Sequence, residues 1–172
     1  MWNKVLYEVL ADILNKRCKP TLTHCFLRLL QNKGKLRWLF TQNVDALERC
    51  VGINPSKLIE CHGTFSTASC FKCKQEVSIS LVRECVLKKQ IPIHCPNCDS
   101  PLVKPDCVLF GEDLPAKYYQ AAKKQIYDID LLLVIGTSLS VKPVSNVLFI
   151  FQTSNILAIL SISLLTPLKQ YL

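Results

Sequence analysis

Residues 61–73 read CHGTFSTASCFKC, and they end in two cysteines, Cys70 and Cys73, that are separated by two residues. After 21 further residues, Cys95 and Cys98 repeat this spacing. Each C-x-x-C turn can direct both sulfurs at one ion, and the interval is close to the roughly 15–20 residues of paired zinc knuckles. Four thiolates complete a tetrahedral shell around Zn²⁺, so we predict one structural zinc with no open position for water.

The chain contains ten cysteines, and disulfide bonds or a chance cluster are the alternatives to a metal site. The N-terminus, Met1-Trp2-Asn3-Lys4, leads into a charged helical pattern and not into a signal peptide, which indicates a reducing compartment. In such a compartment paired C-x-x-C turns bind metal more often than they form disulfides. The other six cysteines are predicted to be small buried hydrophobic residues: Cys18, Cys25, Cys50, Cys61, Cys85 and Cys107.

The 172 residues are enough for one domain, or for one domain with a small insertion, and 49% of them are hydrophobic. Of the net charge of +8, residues 1–40 contribute +6, from eight Lys/Arg and two Asp/Glu. Such a basic segment can contact nucleic acid, chromatin or an acidic partner, or it can form solvated helix faces. Because no aromatic residues alternate with the basic ones, we expect solvated faces and no direct nucleic-acid binding.

The apolar residues recur at helical spacing in four segments, and a cap residue accompanies one of them. Thr21 is placed to cap the second helix, and Gly34 lies where a left-handed residue ends a helix. The predicted helices span residues 3–15, 22–30, 43–50 and 115–127.

Short apolar runs between the helices predict strands at residues 36–40, 57–61, 106–110 and 130–135. The last run is typical of a central, buried parallel strand, and we expect it beside the strand at 37–40. Alternation of strands and helices predicts an α/β fold, an incomplete Rossmann-like parallel sheet with a small inserted zinc-ribbon module.

Composition divides the chain into four parts: Rossmann-like residues 1–65, a zinc-binding insert at 66–103, the Rossmann-like part continued at 104–146, and a divergent apolar tail at 147–172. The insert depends on its metal, because so few residues bury little apolar surface. Within the tail, residues 147–165 approach the roughly 18 apolar residues of a membrane span, but polar residues interrupt them. A buried helix and strand, a membrane anchor and a truncated end are the alternatives, and we expect no membrane attachment.

The chain resembles the sirtuins, the NAD-dependent protein-lysine deacylases, over roughly residues 5–146, and most closely their nuclear and cytosolic deacetylase branch. The resemblance is carried by five motifs in order, namely Thr41-Gln42-Asn43-Val44-Asp45, Cys61-His62-Gly63, the paired knuckles, Val108-Leu109-Phe110-Gly111-Glu112 and Gly136-Thr137-Ser138, together with Pro20-Thr21-Leu22-Thr23-His24.

The resemblance implies an enzyme that transfers the acyl group from lysine to ADP-ribose and releases nicotinamide. It implies Zn²⁺ as a structural metal, NAD⁺ as a co-substrate and an acyl-lysine protein, such as a histone tail, as the partner. An intracellular location, nuclear, cytoplasmic or both, is expected with it.

The resemblance also assigns roles to individual residues. His62 matches the general base, a task that suits an imidazole of unperturbed pKa about 6.5. Its substitution should therefore abolish deacylation without affecting the zinc site. His24 and His94 lack this context and are expected to be structural, although His94 adjoins Cys95 and could compete as a ligand.

Three further segments match binding loops of the family. Gln42, Asn43 and Asp45 match the loop that holds the nicotinamide ribose, with helix capping as the alternative role. Gly136, Thr137 and Ser138 match a loop on the adenosine side, where the carboxyl end of a strand binds ligands. The segment Val108, Leu109, Phe110 and Gly111 matches the part that pairs with the substrate backbone, and Phe110 either lines the acyl-lysine tunnel or packs in the core.

The sequence departs from the sirtuin pattern at both ends. Sirtuins begin their core with a Gly-Ala-Gly loop and an Ile-Pro-Asp-Phe-Arg stretch, whereas the five glycines here lie far apart in sequence. Where sirtuins carry an Asn-x-Glu strand, Leu157-Ala158-Ile159-Leu160-Ser161 stands instead. We therefore expect a core truncated at both ends, with weak NAD binding because a phosphate cradle at a helix N-terminus is missing.

Two functions stay open on this evidence. The first is an NAD-dependent protein-lysine deacetylase. The second is a catalytically inactive, sirtuin-like, zinc-containing interaction module. An unrelated zinc-ribbon protein that binds nucleic acid would leave the other motifs to coincidence.

Overall fold

The computed structural model describes residues 7–8, 10–11, 18–109, 111–124, 130–137 and 156–160. The chain divides into two compact units, Met1–Tyr118 and Tyr119–Leu172. Each unit contains a pair of parallel strands, and the first also contains a three-stranded antiparallel sheet around the cysteines. The predicted α/β class, with a partial Rossmann-like parallel sheet and a cysteine-bearing module, is confirmed.

Helix α1 spans Leu22–Asn32 and has the two end signals that the sequence predicts. At its start, the backbone N–H of Thr21 donates to Nδ1 of His24 over 3.1 Å, which is half of a capping box. At its end, Gly34 has a φ of +69°, and the N–H of Lys35 donates to the Leu30 carbonyl over 2.9 Å in a Schellman motif. His24 is buried, in agreement with its predicted structural role.

The first unit contains a β-α-β element in which strand β1 (Leu39–Thr41) pairs in parallel with strand β2 (Leu58–Glu60). Helix α2 (Leu47–Cys50) lies between them in the chain. Their core consists of Leu36, Ile53 and Leu58, against which α1 packs Leu27 and Leu30. Within the predicted strand at 36–40, only Leu39 and Phe40 belong to β1, and they are half-buried.

Helix α2 begins four residues later than the predicted span of 43–50. Ala46 has a φ of +62°, in the left-handed region, so residues 43–46 form a turn before the helix. Asp45 holds this turn, because its Oδ1 accepts the N–H of Leu47 over 3.0 Å. This Asx turn is the capping role that was weighed for Asp45, and the apolar spacing alone did not reveal it.

The cysteine module is built on strands β3 (Gly63–Cys70), β4 (Glu76–Val77) and β5 (Val103–Cys107) and on helix α3 (Ile79–Leu87). The strand order is β4-β3-β5, and both pairings are antiparallel. Its core contains Phe65, Val82 and Val103 and also two residues from the helical N-terminal segment, Tyr7 and Leu10. The hydroxyl of Tyr7 donates to the Val103 carbonyl and so fastens that segment to β5.

The predicted strand at 106–110 is wrong, because the strand covers Val103–Cys107. The observed strand includes Pro105, which has no N–H to donate. β5 is an edge strand of the sheet, so the backbone groups along its outer edge need no partner strand. Pro105 lies opposite Ala68 of β3. The strand therefore begins earlier and belongs to the antiparallel sheet.

Helix α4 (Ala116–Lys124) agrees with the predicted helix at 115–127 as far as the described residues extend. Strand β6 (Leu131–Ile135) pairs in parallel with β7 (Ile156–Leu160), which lies in the apolar tail. The prediction that β6 is buried throughout is wrong: Leu131 is 48% exposed, and Val134 is the buried residue. Pairing with β7 covers one backbone edge of β6. It does not bury the side chains, which project from the two faces of the strand and are covered only by other elements.

The expected position of β6 beside residues 37–40 stays a prediction, as do the boundaries of the four predicted parts. Among the described residues, no helix has the length and apolar character needed to cross a membrane.

Candidate functional site

Four cysteine sulfurs converge in the module, and they are the ones that the knuckle spacing predicts. The sulfurs of Cys70, Cys73, Cys95 and Cys98 all lie within 4.8 Å of one another. The distance from Cys70 to Cys98 and that from Cys73 to Cys95 are each 3.7 Å. A disulfide would require about 2.05 Å, whereas a tetrahedron with Zn–S bonds of about 2.3 Å has edges of about 3.8 Å. The four sulfurs therefore fit a closed zinc shell and exclude the disulfide alternative.

Both knuckles have the same backbone structure. In the first, the N–H of Lys74 donates to the Cys70 carbonyl over 2.9 Å, and in the second Asp99 donates to Cys95 over 2.9 Å. Lys74 and Asp99 have φ values of +60° and +54°, so each turn closes through a left-handed residue. This repeated geometry is what brings two sulfurs of each turn to one side.

Backbone N–H groups surround the sulfurs and favour thiolates. The N–H of Gln75 lowers the pKa of the Cys73 thiol to about 6, and the N–H of Cys73 lowers the pKa of Cys70. The N–H of Ser100 also favours the Cys98 thiolate, but burial and the neighbouring sulfurs outweigh it and raise the pKa of Cys98 to about 12. Four neighbouring thiolates repel one another. A divalent cation bound between them removes this repulsion, since thiolates are its ligands.

His94 does not belong to the four-sulfur group. Its Nδ1 lies 3.0 Å from both the carbonyl and the Oδ1 of Asp99, in an exposed position. Among the described residues, the cluster of potential metal ligands consists of the four cysteines. His94 is therefore not among these ligands, and its structural role stays a prediction.

The other six cysteines differ in burial. Cys61 and Cys107 are buried as predicted, and burial raises the pKa of their thiols to about 12 and about 11. Cys85 is half-buried. For Cys18, Cys25 and Cys50 the prediction of burial is wrong, because all three are exposed. Cys25 and Cys50 lie on the solvent-facing sides of their helices. The sequence pattern around one cysteine does not tell whether it faces the core or the solvent.

His62 lies in the turn between β2 and β3, and its ring is fixed by one hydrogen bond. Its Nδ1 is 3.1 Å from the carbonyl oxygen of Gln42. Because a carbonyl only accepts, Nδ1 carries the proton and Nε2 keeps its lone pair. The partly exposed imidazole is thus oriented as a base that can take a proton through Nε2.

Three hydrogen bonds tie the loop at residues 41–45 to the segment that carries His62. Besides the bond from His62 to Gln42, the N–H of Cys61 donates to Thr41 over 2.9 Å and that of Phe65 to Val44 over 2.8 Å. The backbone of residues 41–44 therefore lies against the segment that carries His62. That Gln42, Asn43 and Asp45 form one binding site with His62 stays a prediction; Asn43 is exposed to solvent.

The segment that follows β5 also contacts the histidine. The N–H of Val108 donates to the carbonyl of His62 over 2.8 Å, and Gly63 pairs with Cys107. Val108 and Leu109 are half-buried, and Gly111 has a φ of +86°. Val108 and Leu109 thus directly follow β5 beside His62, and Gly111 lies in the turn after them. Phe110, the fourth residue predicted to bind substrate, lies outside the described residues.

Gly136 and Thr137 follow the end of β6, in the second unit, as predicted. Gly136 has a φ of +66°, which favours glycine at this strand end. Ser138 lies outside the described residues. The expected participation of all three in one site with His62 stays a prediction.

One residue near this loop was missed by the sequence analysis. Glu48 is 4% exposed on α2, and burial raises its pKa from the ordinary value of 4.5, although a hydrogen bond from the Thr41 side chain works in the opposite direction. The hydroxyl of Thr41 also accepts the N–H of Asn43 over 3.1 Å. Glu48 therefore supports the loop through Thr41, and no spacing in the sequence distinguished it from an exposed helix residue.

Comparison with known proteins gives a consistent result. A sequence model of the Sir2 family matches residues 1–143. The chain is similar to the NAD-dependent deacetylase sir2D of Dictyostelium discoideum, with 45% identity over 141 residues, 81% of this chain and 26% of that protein. It is also similar to NAD-dependent protein deacetylase sirtuin-2 of Danio rerio, with 42% identity over 142 residues, and to hst2 of Schizosaccharomyces pombe, with 39% over 140.

These two similarities each cover 81% of this chain, and they cover 37% and 42% of the respective relatives. The chain thus spans between about a quarter and two fifths of the length of the relatives that it matches.

Proposed function

We propose, from the premise that this chain belongs to the Sir2 family, that it carries the general base and the zinc module of an NAD-dependent protein-lysine deacetylase. The observation that carries the proposal is the orientation of His62. Its Nδ1–H is bound to the carbonyl of Gln42, which leaves Nε2 able to accept a proton. A histidine that had only a packing role would not need its ring oriented with Nε2 available to accept a proton.

In this reaction the acyl-lysine carbonyl oxygen displaces nicotinamide from its ribose, and a ribose hydroxyl then attacks the acyl carbon. His62 accepts the proton of that hydroxyl at Nε2, and the Gln42 carbonyl stabilises the resulting imidazolium through Nδ1–H. Gln42, Asn43 and Asp45 supply amide and carboxylate groups suited to the ribose hydroxyls and the carboxamide. The segment Val108–Gly111 would pair with the substrate peptide through its backbone.

The four cysteines hold a structural zinc that supports this arrangement. Cys70 ends β3, the strand that begins directly after His62, so the metal fixes the far end of that strand. A closed shell of four thiolates leaves no coordination position for substrate or water. The proposed chemistry therefore belongs to the histidine and not to the metal.

We propose acetylated proteins as the substrates, with histone tails among them, and an intracellular, nuclear or cytoplasmic location. Pairing with the substrate through its backbone supports a broad range of peptide sequences. The thiolate chemistry of the module supports a reducing compartment.

The test is substitution of the histidine. His62→Tyr should reduce steady-state deacetylation of an acetyl-lysine peptide in the presence of NAD⁺ by at least about a hundredfold, because general-base catalysis supplies about 10²–10⁴-fold. One zinc per chain should remain, since His62 is not a ligand.

His94→Tyr is the matched control, because it makes the same substitution at an exposed histidine outside the four-sulfur group, and it should leave deacetylation unchanged. Equal loss in both variants would indicate a folding effect and contradict the role of His62. A wild-type chain without any NAD-dependent deacetylation would leave the interaction module as its function.

A further inference from the structure

Lys104 and Glu112 flank residues 108–111 and bind their backbone. The ammonium group of Lys104 donates to the Cys107 carbonyl over 2.8 Å and to Oε2 of Glu112 over 3.1 Å. The same carboxylate oxygen accepts the backbone N–H of Leu109 over 2.9 Å. In return, the N–H of Glu112 donates to the Leu109 carbonyl over 2.9 Å. Two side chains thus hold the segment from both ends.

This ion pair differs from an ordinary surface pair in its burial and in its partners. The side chains of Lys104 and Glu112 are 14% and 29% exposed, whereas those of Glu84 and Lys88 on α3 are both 58% exposed. Exposed pairs contribute little, because water screens them and their side chains are mobile. The pair at 104 and 112 is shielded, and each partner also makes a charge-assisted bond to the backbone, which is a stronger kind of hydrogen bond.

The location of this pair connects it to the site. β5 carries Lys104 beside Cys107, and the next residue, Val108, donates its N–H to the carbonyl of His62. The N–H groups of Val108 and Leu109 are therefore both used inside the protein. The pair fixes the backbone that runs beside His62 after β5, and a rigid backbone binds a peptide without first losing conformational entropy.

We propose that Lys104 and Glu112 are positioning residues for the acyl-lysine peptide, because they bind the backbone at Cys107 and Leu109, on both sides of the residue that is bonded to His62. This inference rests on the proposed function. It predicts that the pair affects the affinity for peptide and not the affinity for NAD⁺, since neither residue contacts the loop at 41–45.

The test uses the full chain with zinc bound and three variants. Lys104→Met removes the ammonium group, Glu112→Gln removes the charge but keeps an oxygen that can accept from Leu109, and Lys104→Arg keeps both the charge and the donors. Lys88→Met and Glu84→Gln are matched controls, because they make the same changes in the exposed pair on α3. Amide hydrogen exchange of Leu109 and Glu112 is measured together with binding of an acetyl-lysine peptide and of NAD⁺.

Lys104→Met should accelerate exchange at Leu109 and weaken peptide binding, each by about tenfold, since charged hydrogen bonds are lost. Glu112→Gln should have a smaller effect, Lys104→Arg should restore the wild-type values, and the controls and NAD⁺ affinity should not change. Unchanged exchange at Leu109 in Lys104→Met would overturn the clamp itself. Faster exchange with unchanged peptide affinity would overturn the positioning role.

A wild-type chain that binds no acetyl-lysine peptide would instead overturn the proposed function, and with it the substrate part of this inference. Hydrogen exchange would still decide whether Lys104 and Glu112 hold the segment. The two failures are therefore distinguishable.

Discussion

Gly63 follows His62 and has no β-carbon, which lets β3 approach β5 closely. A β-carbon at this position would lie 2.0 Å from the carbonyl oxygen of Asp106, and the φ of Gly63 is +73°. We expect Gly63→Ala to destabilise the chain by about 3 kcal/mol or more, because both the contact and the left-handed backbone are unfavourable. The free energy of unfolding in urea measures this cost.

Gly34→Ala is the control that measures the cost of the left-handed backbone without the steric contact. Gly34 has a φ of +69°, and a β-carbon there meets nothing within 4 Å. Its substitution should cost about 1–2 kcal/mol, the strain of a left-handed alanine. Equal costs at both positions would show that the approach of β3 to Asp106 is not tight.

Glu48 makes the stability of the chain depend on pH. Its pKa in the folded chain is raised above 4.5 by burial, with Asp45 also raising it and Thr41 and His24 lowering it. The folded state therefore binds the proton more tightly than the unfolded state, and this contribution falls as pH rises from 4.5 through the folded pKa. Glu48→Gln should remove that fall, and unfolding free energies measured from pH 4 to pH 8 would show a flatter profile.

Glu76→Gln removes the same charge at an exposed position of β4 and should leave the profile as in the wild type. A profile for Glu48→Gln that parallels the wild type would mean that Glu48 is solvated in the folded chain.

At the scale of elements, the sequence predicts those whose residues carry local signals. Thr21 and Gly34 define both ends of α1 because capping and left-handed residues act within one helical turn. The start of α2 and the position of β5 were predicted less well. The start of α2 depends on the Asx turn at Asp45, and the position of β5 depends on its pairing with β3 at Ala68; periodicity contains neither.

The same distinction applies to the site. The knuckle spacing predicts the four ligands because the geometry of each turn is local and the metal chemistry demands it. Family motifs point to His62 and to the loop at 41–45, but they do not reveal the bond from His62 to Gln42, which joins residues 20 positions apart. Glu48, Lys104 and Glu112 look like surface charges in the sequence, and only the fold shows that they are shielded.

At the scale of the molecule, the described residues of the first unit include two apolar cores. One belongs to the cysteine module and includes Phe65, Val82 and Val103, and the other lies under β1 and β2 and includes Ile53 and Leu58. Three backbone or ring hydrogen bonds between residues 41–44 and 61–65 join the parts that carry these cores. The histidine lies at this junction, so its position depends on both cores being formed.

Removal of the metal is expected to unfold the core of the cysteine module and to leave the core under β1 and β2 folded. The module has a small sheet, and structural zinc contributes about 10–16 kcal/mol in zinc-finger peptides, so chelation should unfold it. Amides of Phe65, Val82 and Val103 should lose hydrogen-exchange protection, while those of Leu39 and Ile59 in the parallel pair keep more of theirs. Because Tyr7 and Leu10 pack in the core of the module, helix content should also fall, which circular dichroism measures.

Cys70→Ser should reproduce the effect of chelation and lower the zinc content below one per chain, since it removes one of four ligands. Cys50→Ser is the matched control, because Cys50 is an exposed free thiol on α2, and it should retain zinc and protection. Full protection after chelation would show that the module folds without metal. Simultaneous loss at Leu39 and Ile59 would show instead that the two cores unfold as one cooperative unit, through the hydrogen bonds that hold His62.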